Sequence, residues 1–190
     1  GVNDEEYAMK AAENPLVTGI IEKLSVEKNI DMALKVNPTA DKVVAILDDS
    51  VTADAERKNF YSAEAEYPEL EFSEINSSEL TTAQLQQAIS KVDDKTILIY
   101  IVMSKDGSGK QYTSDQALCM IVDYAKVPVY RMVEAGIGDG LLGGNVVSMY
   151  KSGEIAAQMA MDIANGTDSA EINVVKDSPN IYCVDEDVMR

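Results

Sequence analysis

Short apolar runs alternate with amphipathic stretches along most of this chain. The apolar runs occupy residues 43–47, 70–75, 97–103, 127–130 and 141–147. Because helical patterns separate the first four runs, they predict successive βαβ units and a parallel sheet, which makes the fold class α/β. Apolar residues recur three and four positions apart in four predicted helices, at 26–36, 81–92, 114–125 and 148–165. Two further short strands are predicted at 172–175 and 181–184.

The composition removes several classes of function. Sixteen lysines and arginines stand against 33 aspartates and glutamates, a formal net charge of −17 that repels phosphate backbones, so we expect no nucleic-acid partner. The chain has no histidine, which excludes histidine-based acid–base relays and the usual zinc ligand sets. Cys119 and Cys183 lie in separate apolar segments and are predicted to be small buried side chains. The longest apolar run is far shorter than the roughly 20 residues that cross a bilayer.

Two glycine motifs resemble nucleotide-binding loops but lack what those loops require. Residues 138–143 match G-x-G-x-x-G, yet a strand-like run follows where a helix N-terminus would have to meet a pyrophosphate. Residues 107–110 read Gly-Ser-Gly-Lys, without the earlier glycine and the later hydroxyl of a phosphate loop, and predict a hairpin-like loop instead. The sequence therefore predicts no cofactor and no metal.

Polar side chains follow each of the first four predicted strands. Six of them are candidate ligand-binding residues: Asp48, Asp49, Ser50, Ser77, Ser104 and Arg131. Parallel α/β sheets bind ligands at this edge, and hydroxyls, carboxylates and a guanidinium suit a small polar or zwitterionic molecule. Other roles stay open, because Ser50 could cap the next helix and Arg131 could form an exposed salt bridge. We predict that the chain is not an enzyme.

Several segments resemble a known family. The Asn-Pro-Leu-Val-Thr-Gly segment at 14–19, the helix at 26–36 and the strand at 43–48 resemble the second lobe of type I periplasmic-binding-protein folds, within the ABC-transporter substrate-binding-like family. The glycine-rich residues 136–144 and the Ser-Pro-Asn-x-Tyr motif at 178–182 are similar to the extracellular sensor domains of bacterial histidine kinases and diguanylate cyclases.

This resemblance implies a Rossmann-like sandwich that consists mainly of the second lobe with part of the first. Residues 1–13 would end a truncated first lobe, 14–135 would form the second lobe with its βαβ sheet, and 136–190 would form a glycine-rich return crossover, a long helix and the terminal strands. The loops after the strands would supply the ligand contacts, at the positions of the six candidates. The long helix would lack its partner in the missing first lobe, so we expect a homodimer through that helix.

The resemblance implies a non-catalytic, extracytoplasmic sensor domain that binds a small-molecule ligand and belongs to a membrane-anchored signalling protein. The membrane would be reached only through a segment outside this chain. The alternative is the substrate-binding component of an ABC importer for amino-acid-like or other small polar ligands. A third possibility is a flavodoxin-like phosphoacceptor that uses the Asp48-Asp49 pair and Lys105. The middle strand ends with Glu74-Ile75-Asn76, however, so it lacks the acceptor aspartate that this function needs.

Overall fold

The structure is a computed structural model that describes Val2 and residues 5–189. Contacts within the chain divide it into two compact units. The first unit comprises Gly1–Leu24 and Val146–Ile181, and the second comprises Ser25–Asn145 and Tyr182–Arg190. The predicted lobe boundaries after residues 13 and 135 stay predictions.

Part of the predicted end of the first lobe falls on Gly1, Asn3 and Asp4, which lie outside the described residues. Arg190 also lies outside them.

Six strands form one sheet. They are β1 (Lys42–Leu47), β2 (Glu71–Asn76), β3 (Thr96–Tyr100), β4 (Val129–Arg131), β5 (Gly143–Val147) and β6 (Asn180–Val184). Their order across the sheet is β2-β1-β3-β4-β5-β6. β1 pairs with β2 and β3, β3 pairs with β4, and β4 pairs with β5, all in parallel. The predicted α/β class and parallel sheet are confirmed.

The described residues also form α-helices. These are α1 (Glu5–Ala11), α2 (Val26–Val36), α3 (Val51–Ser62), α4 (Thr82–Ser90), α5 (Ser114–Tyr124) and α6 (Met149–Ala164). α4 and α5 begin with complete capping boxes, in which Thr81 pairs with Gln84 and Thr113 pairs with Gln116. Between α4, α5 and the sheet lies a core that includes Ile46, Leu85, Ile89, Leu98 and Ile121, all fully buried. This core holds the strands in place while their carboxyl ends stay free to carry polar loops.

The predicted strand at 172–175 is wrong. In the first unit, isolated parallel bridges join Val2 to Ile21 and Ile20 to Val175, and the three preceding residues of the predicted strand form no bridge. A 3₁₀ turn, Ser169–Glu171, ends just before this segment, and Val175 is the one residue of the segment that forms a bridge. α1 was not predicted because its seven residues include a single buried side chain, which is too few for a periodic pattern.

Two other expectations need correction. The third strand was expected to extend to Met103 but ends at Tyr100. The N–H of Ile101 makes a last hydrogen bond to the Ile46 carbonyl at 3.0 Å, and Ile101 and Met103 are buried without belonging to a strand. Cys119 was expected to be buried and is exposed, because it lies on the side of α5 that faces away from the core, and Cys183, also expected to be buried, is half-buried. The hairpin-like loop is confirmed by the antiparallel bridge from Lys105 to Gln111. A strand, β5, begins at the last glycine of the G-x-G-x-x-G segment, as predicted.

Candidate functional site

The carboxyl ends of β1 to β4 lie along one edge of the sheet because these strands run parallel. The six candidate residues lie at or after these ends: Asp48, Asp49 and Ser50 after β1, Ser77 after β2, Ser104 after β3 and Arg131 as the last residue of β4. All six belong to the second unit. They differ, however, in burial and in hydrogen-bond partners.

Asp48 joins the loops after β1 and β3. Its side chain is fully buried. One carboxylate oxygen accepts a hydrogen bond from the backbone N–H of Ser50 at 2.9 Å, and the other accepts from the backbone N–H of Ser104 at 2.8 Å and from the Ser104 hydroxyl. Burial raises the pKa of Asp48, but the hydrogen bonds from Ser104 and Ser50 outweigh it and hold the pKa below its ordinary value. Asp48 therefore acts as an internal carboxylate that fixes both loops.

Ser50 has a second role. Its hydroxyl accepts a hydrogen bond from the backbone N–H of Ala53 at 3.2 Å and so caps the first turn of α3. The capping role that the sequence left open is therefore real. It leaves the Ser50 side chain half-buried at the edge of the sheet.

Asp49 is exposed and belongs to a network around Arg57. Its Oδ1 accepts from Arg57 at 3.2 Å and from the Asn76 amide at 2.8 Å. Arg57 also donates to Glu74 at 3.0 Å and to Asp54 at 2.8 Å. Because one guanidinium faces three carboxylates, the cluster keeps a net negative charge beside the ends of β1 and β2. Such a cluster favours a cationic group of a ligand.

Ser77 points into the protein. It is fully buried, and its hydroxyl donates to the backbone carbonyl of Lys105 at 2.8 Å. This bond joins the loop after β2 to the loop after β3. Ser104, in contrast, is exposed.

Arg131 is half-buried at the end of β4 and lies against Tyr100. Its guanidinium carbon is 4.2 Å from the centroid of the Tyr100 ring, which is a cation–π contact. Its Nη1 donates to the carbonyls of Tyr100 and Ile101, and Nε donates weakly to that of Ala135. No salt bridge joins Arg131 to a carboxylate of a described residue, and burial lowers the pKa of its guanidinium. The exposed salt bridge that the sequence left open for Arg131 is therefore not observed in the described part of the chain.

Sequence reasoning missed two members of this site. Tyr100 looks like an ordinary core residue at the end of an apolar run, and only its position beside Arg131 gives it a role. Arg57 looks like a solvent-facing residue in the middle of α3, and its Asp54 neighbour three positions earlier is the only local indication of an ion pair. The Arg131–Tyr100 contact and the contacts of Arg57 with Asp49 and Glu74 join residues that are distant in the sequence, so they form only when the chain folds.

The described residues include no group of three or more acidic or cysteine side chains placed to hold a metal ion. A groove of about 440 Å³ also lies in the second unit, between α4 and α5, and it is lined by none of the six candidates. Gln86, Cys119 and Tyr124 are among its lining residues. The groove is therefore a separate surface from the edge of the sheet.

Comparison with known proteins identifies the family. The family described as ABC transporter substrate binding protein matches residues 8–187. The chain belongs to this family. Its description names substrate binding and no reaction, and the absence of catalysis stays a prediction. A search of curated proteins gave no match.

Three solved structures share the fold. The ligand-free, open structure of CD0873, a substrate binding protein with adhesive properties from Clostridium difficile, has a TM-score of 0.68 and 19% identity over 91% of this chain and 57% of that one. The ABC domain from Streptococcus pneumonia in complex with L-Trp has a TM-score of 0.63 and 17% identity, over 90% of this chain and 58% of that one. A conserved domain protein from Vibrio cholerae O1 biovar El Tor has a TM-score of 0.61 and 16% identity, over 88% of this chain and 55% of that one.

The chain thus spans 55% to 58% of the length of these three structures. The likeness confirms the expected type I periplasmic-binding-protein-like fold of an ABC substrate-binding family. It does not confirm the sensor-domain prediction. The alternative from the sequence, a substrate-binding component, is the one that the family match favours.

Proposed function

We propose that this chain is the ligand-binding part of an ABC importer's substrate-binding component, and that the carboxyl edge of its sheet takes a small zwitterionic ligand of the amino-acid type. The observation that carries this proposal is Arg131, a half-buried cation on the Tyr100 ring that no described carboxylate neutralises. A desolvated guanidinium that no described carboxylate neutralises favours an anionic group of a ligand, and a carboxylate matches its planar donor geometry.

The opposite end of the proposed ligand would face Asp49. β3 separates β1 from β4, so the ends of these two strands are roughly 10 Å apart. Asp49 follows β1, and Arg131 ends β4. The acidic cluster at Asp49 suits the ammonium group of a small molecule, and the Arg131 guanidinium suits its carboxylate. The side chains of Asp49 and Arg131 would reach into the space between the two strand ends and so shorten the distance that the ligand has to span. We propose that the hydroxyl groups of Ser50 and Ser104 form further hydrogen bonds to the ligand between Asp49 and Arg131.

Removing Arg131 should weaken binding of an amino acid. L-tryptophan is a suitable probe because it is bound in the Streptococcus pneumonia structure and because this chain contains no tryptophan, so indole fluorescence anisotropy reports the ligand alone. We expect Arg131→Gln to weaken L-tryptophan binding by roughly 10-fold to 100-fold, the worth of a hydrogen bond to a charged group.

The matched control is Lys126→Gln, which makes the same change of charge at an exposed position. We expect it to bind L-tryptophan as the unmodified chain does. Tryptamine, which lacks the carboxylate, should bind weakly and equally to the unmodified chain and to Arg131→Gln. Equal affinity of both variants for L-tryptophan, or no binding of any amino acid by the unmodified chain, would contradict the proposal.

We also propose an extracytoplasmic location, which is where substrate-binding components of importers meet their ligands. None of the described helices is long and apolar enough to cross a bilayer. Anchoring to a membrane and a signalling role stay predictions from the resemblance.

We propose that α6 mediates self-association of the chain. One face of α6 packs through Ser152, Ile155 and Met159, whereas apolar side chains on the other face, such as Tyr150 and Met161, are exposed. Met161 is 58% exposed. A long apolar face of this kind is unfavourable in water unless something covers it, and a second copy of the chain offers a matching surface.

Light scattering after size exclusion tests this proposal. We expect the chain to elute as a dimer and Met161→Lys to shift it towards monomer, because a buried lysine would be unpaired at the interface. Gln158→Lys adds the same charge to α6 outside the apolar face and should leave the dimer intact. A monomer at all concentrations would argue against the proposal.

A further inference from the structure

The loop after β3 is built around a buried carboxylate, Asp106. Only 2% of Asp106 is exposed. Its Oδ1 accepts from the backbone N–H of Ser108 at 2.9 Å, from the Ser108 hydroxyl at 2.6 Å and from the backbone N–H of Lys110 at 3.0 Å. Its Oδ2 accepts from the hydroxyls of Thr82 at 2.6 Å and Tyr112 at 3.1 Å. Five donors thus converge on one side chain.

The charged form of Asp106 is the stable one. Burial raises the pKa of this carboxyl group, but the hydrogen bonds from Ser108, Thr82, Lys110 and Tyr112 outweigh burial and hold the pKa well below its ordinary value. At neutral pH the loop therefore contains a fixed, fully hydrogen-bonded anion that has no capacity left for a ligand.

The same loop is attached to the segment that follows β2. Gly107 donates its N–H to the carbonyl of Leu80 at 2.8 Å, and a Cβ on Gly107 would come within 2.9 Å of backbone atoms of Glu79 and Leu80. The Ser77 hydroxyl bonds to the Lys105 carbonyl. The two loops are thus in direct backbone contact.

Asp106 also lies inside the turn that presents Ser104. The carbonyl of Ser104 accepts from the N–H of Tyr112 at 2.8 Å, which closes the base of the hairpin. On its other side, the N–H and hydroxyl of Ser104 bond to Asp48. Two buried aspartates therefore hold the two ends of the same short segment.

We propose that Asp106 is a positioning residue, which fixes the hairpin of residues 104–112 on the loop after β2 and so holds Ser104 at the edge of the sheet before ligand arrives. This inference rests on the proposed function. A loop that is already ordered loses little conformational entropy when a ligand binds, whereas a loop that is ordered for a tenth of the time weakens the apparent affinity about tenfold.

Replacing Asp106 tests this role. Asp106→Ala leaves five donors without an acceptor, and we expect it to weaken L-tryptophan binding about tenfold. Asp106→Asn should restore most of the affinity, because its amide oxygen can accept from Ser108 and Lys110 while its amide group donates to the hydroxyls of Thr82 and Tyr112. Asp94→Ala, an exposed change of the same charge, is the control.

Hydrogen exchange of the Ser104 amide in the free protein gives an independent readout. This amide bonds to Asp48 and not to Asp106. If Asp106 stabilised only its own contacts, replacing it would therefore leave the Ser104 amide protected, whereas a positioning role makes that amide exchange faster. We expect its exchange to become at least about tenfold faster in Asp106→Ala and to return towards the unmodified rate in Asp106→Asn. Unchanged protection of the Ser104 amide in Asp106→Ala would overturn the inference.

The outcomes separate this inference from the proposed function. If the unmodified chain binds no L-tryptophan, the proposed function fails and the exchange of Ser104 still decides the positioning role. If Asp106→Ala does not fold, the double variant Thr82→Val/Tyr112→Phe removes only the donors to Oδ2. It should then show a smaller change in the same direction, and unchanged exchange at Ser104 in that variant would overturn the inference.

Discussion

Gly143→Ala should destabilise the protein by about 4 kcal/mol or more, a loss that few single substitutions reach. Gly143 opens β5 with a φ of +89°, a region that costs a side-chain-bearing residue about 1–2 kcal/mol. A Cβ there would also overlap the backbone carbonyl oxygen of Cys183 in β6 and come within 3.0 Å of Ile137. Because the overlapping atom belongs to the backbone, a rotamer change cannot relieve the clash.

Gly138→Ala is the matched control for this prediction. Gly138 has nearly the same φ, +92°, but a Cβ on it would meet no atom within 4 Å. We expect urea unfolding of Gly138→Ala to show only the backbone cost of about 1–2 kcal/mol. If the two variants lost equal stability, the close approach of β6 to Gly143 would be refuted.

Asp48→Ala should cost about 3 kcal/mol in the free energy of unfolding. The substitution leaves the backbone N–H groups of Ser50 and Ser104 without acceptors in a buried place, and each such donor costs about 1–3 kcal/mol. Asp48→Asn should cost about half as much, because both carboxylate oxygens face N–H donors and the amide must direct its own NH₂ group at one of them.

The neighbouring aspartate is the control for Asp48. Asp49 is exposed, and its ion pair with Arg57 should contribute at most about 1 kcal/mol. Asp49→Ala should therefore unfold close to the unmodified chain in urea. Equal losses in Asp48→Ala and Asp49→Ala would contradict the assigned burial.

The pH dependence of stability has a definite sign at Asp48. The folded state holds the pKa of Asp48 below the value of 3.8 that an ordinary aspartate has. The contribution of ionised Asp48 to the free energy of unfolding is therefore complete above pH 3.8 and is lost as the pH falls through the lower pKa of the folded state. Asp48→Asn should show a shallower loss of stability in acid than the unmodified chain.

Much of the sheet could be predicted because its strands are short apolar runs flanked by helical patterns. β1 and β2 begin and end within a residue of their predicted bounds. The third strand was predicted too long because Ile101 and Met103 are buried although neither belongs to a strand, and an apolar pattern reports burial rather than strand structure. The strand predicted at 172–175 is wrong because the apolar pattern there does not coincide with strand pairing: Val175 forms a bridge to Ile20, and the other three residues form none.

The edge of the sheet could be predicted, whereas the direction of each side chain could not. Parallel strands place Asp48, Ser77 and Arg131 at one edge whatever their side chains do. That Ser77 turns inward to the loop after β3, and that Arg131 lies on an aromatic ring without a described acid partner, depends on contacts between residues about 30 positions apart. A single sequence carries no record of such contacts.

Chemical-shift mapping of L-tryptophan on the isotope-labelled chain tests the central claim most directly. If the edge of the sheet holds the ligand, the largest shifts should fall on the guanidinium N–H of Arg131 and on the amides of Asp49 and Ser104. Shifts confined to the groove between α4 and α5, at Gln86 and Cys119, would contradict it.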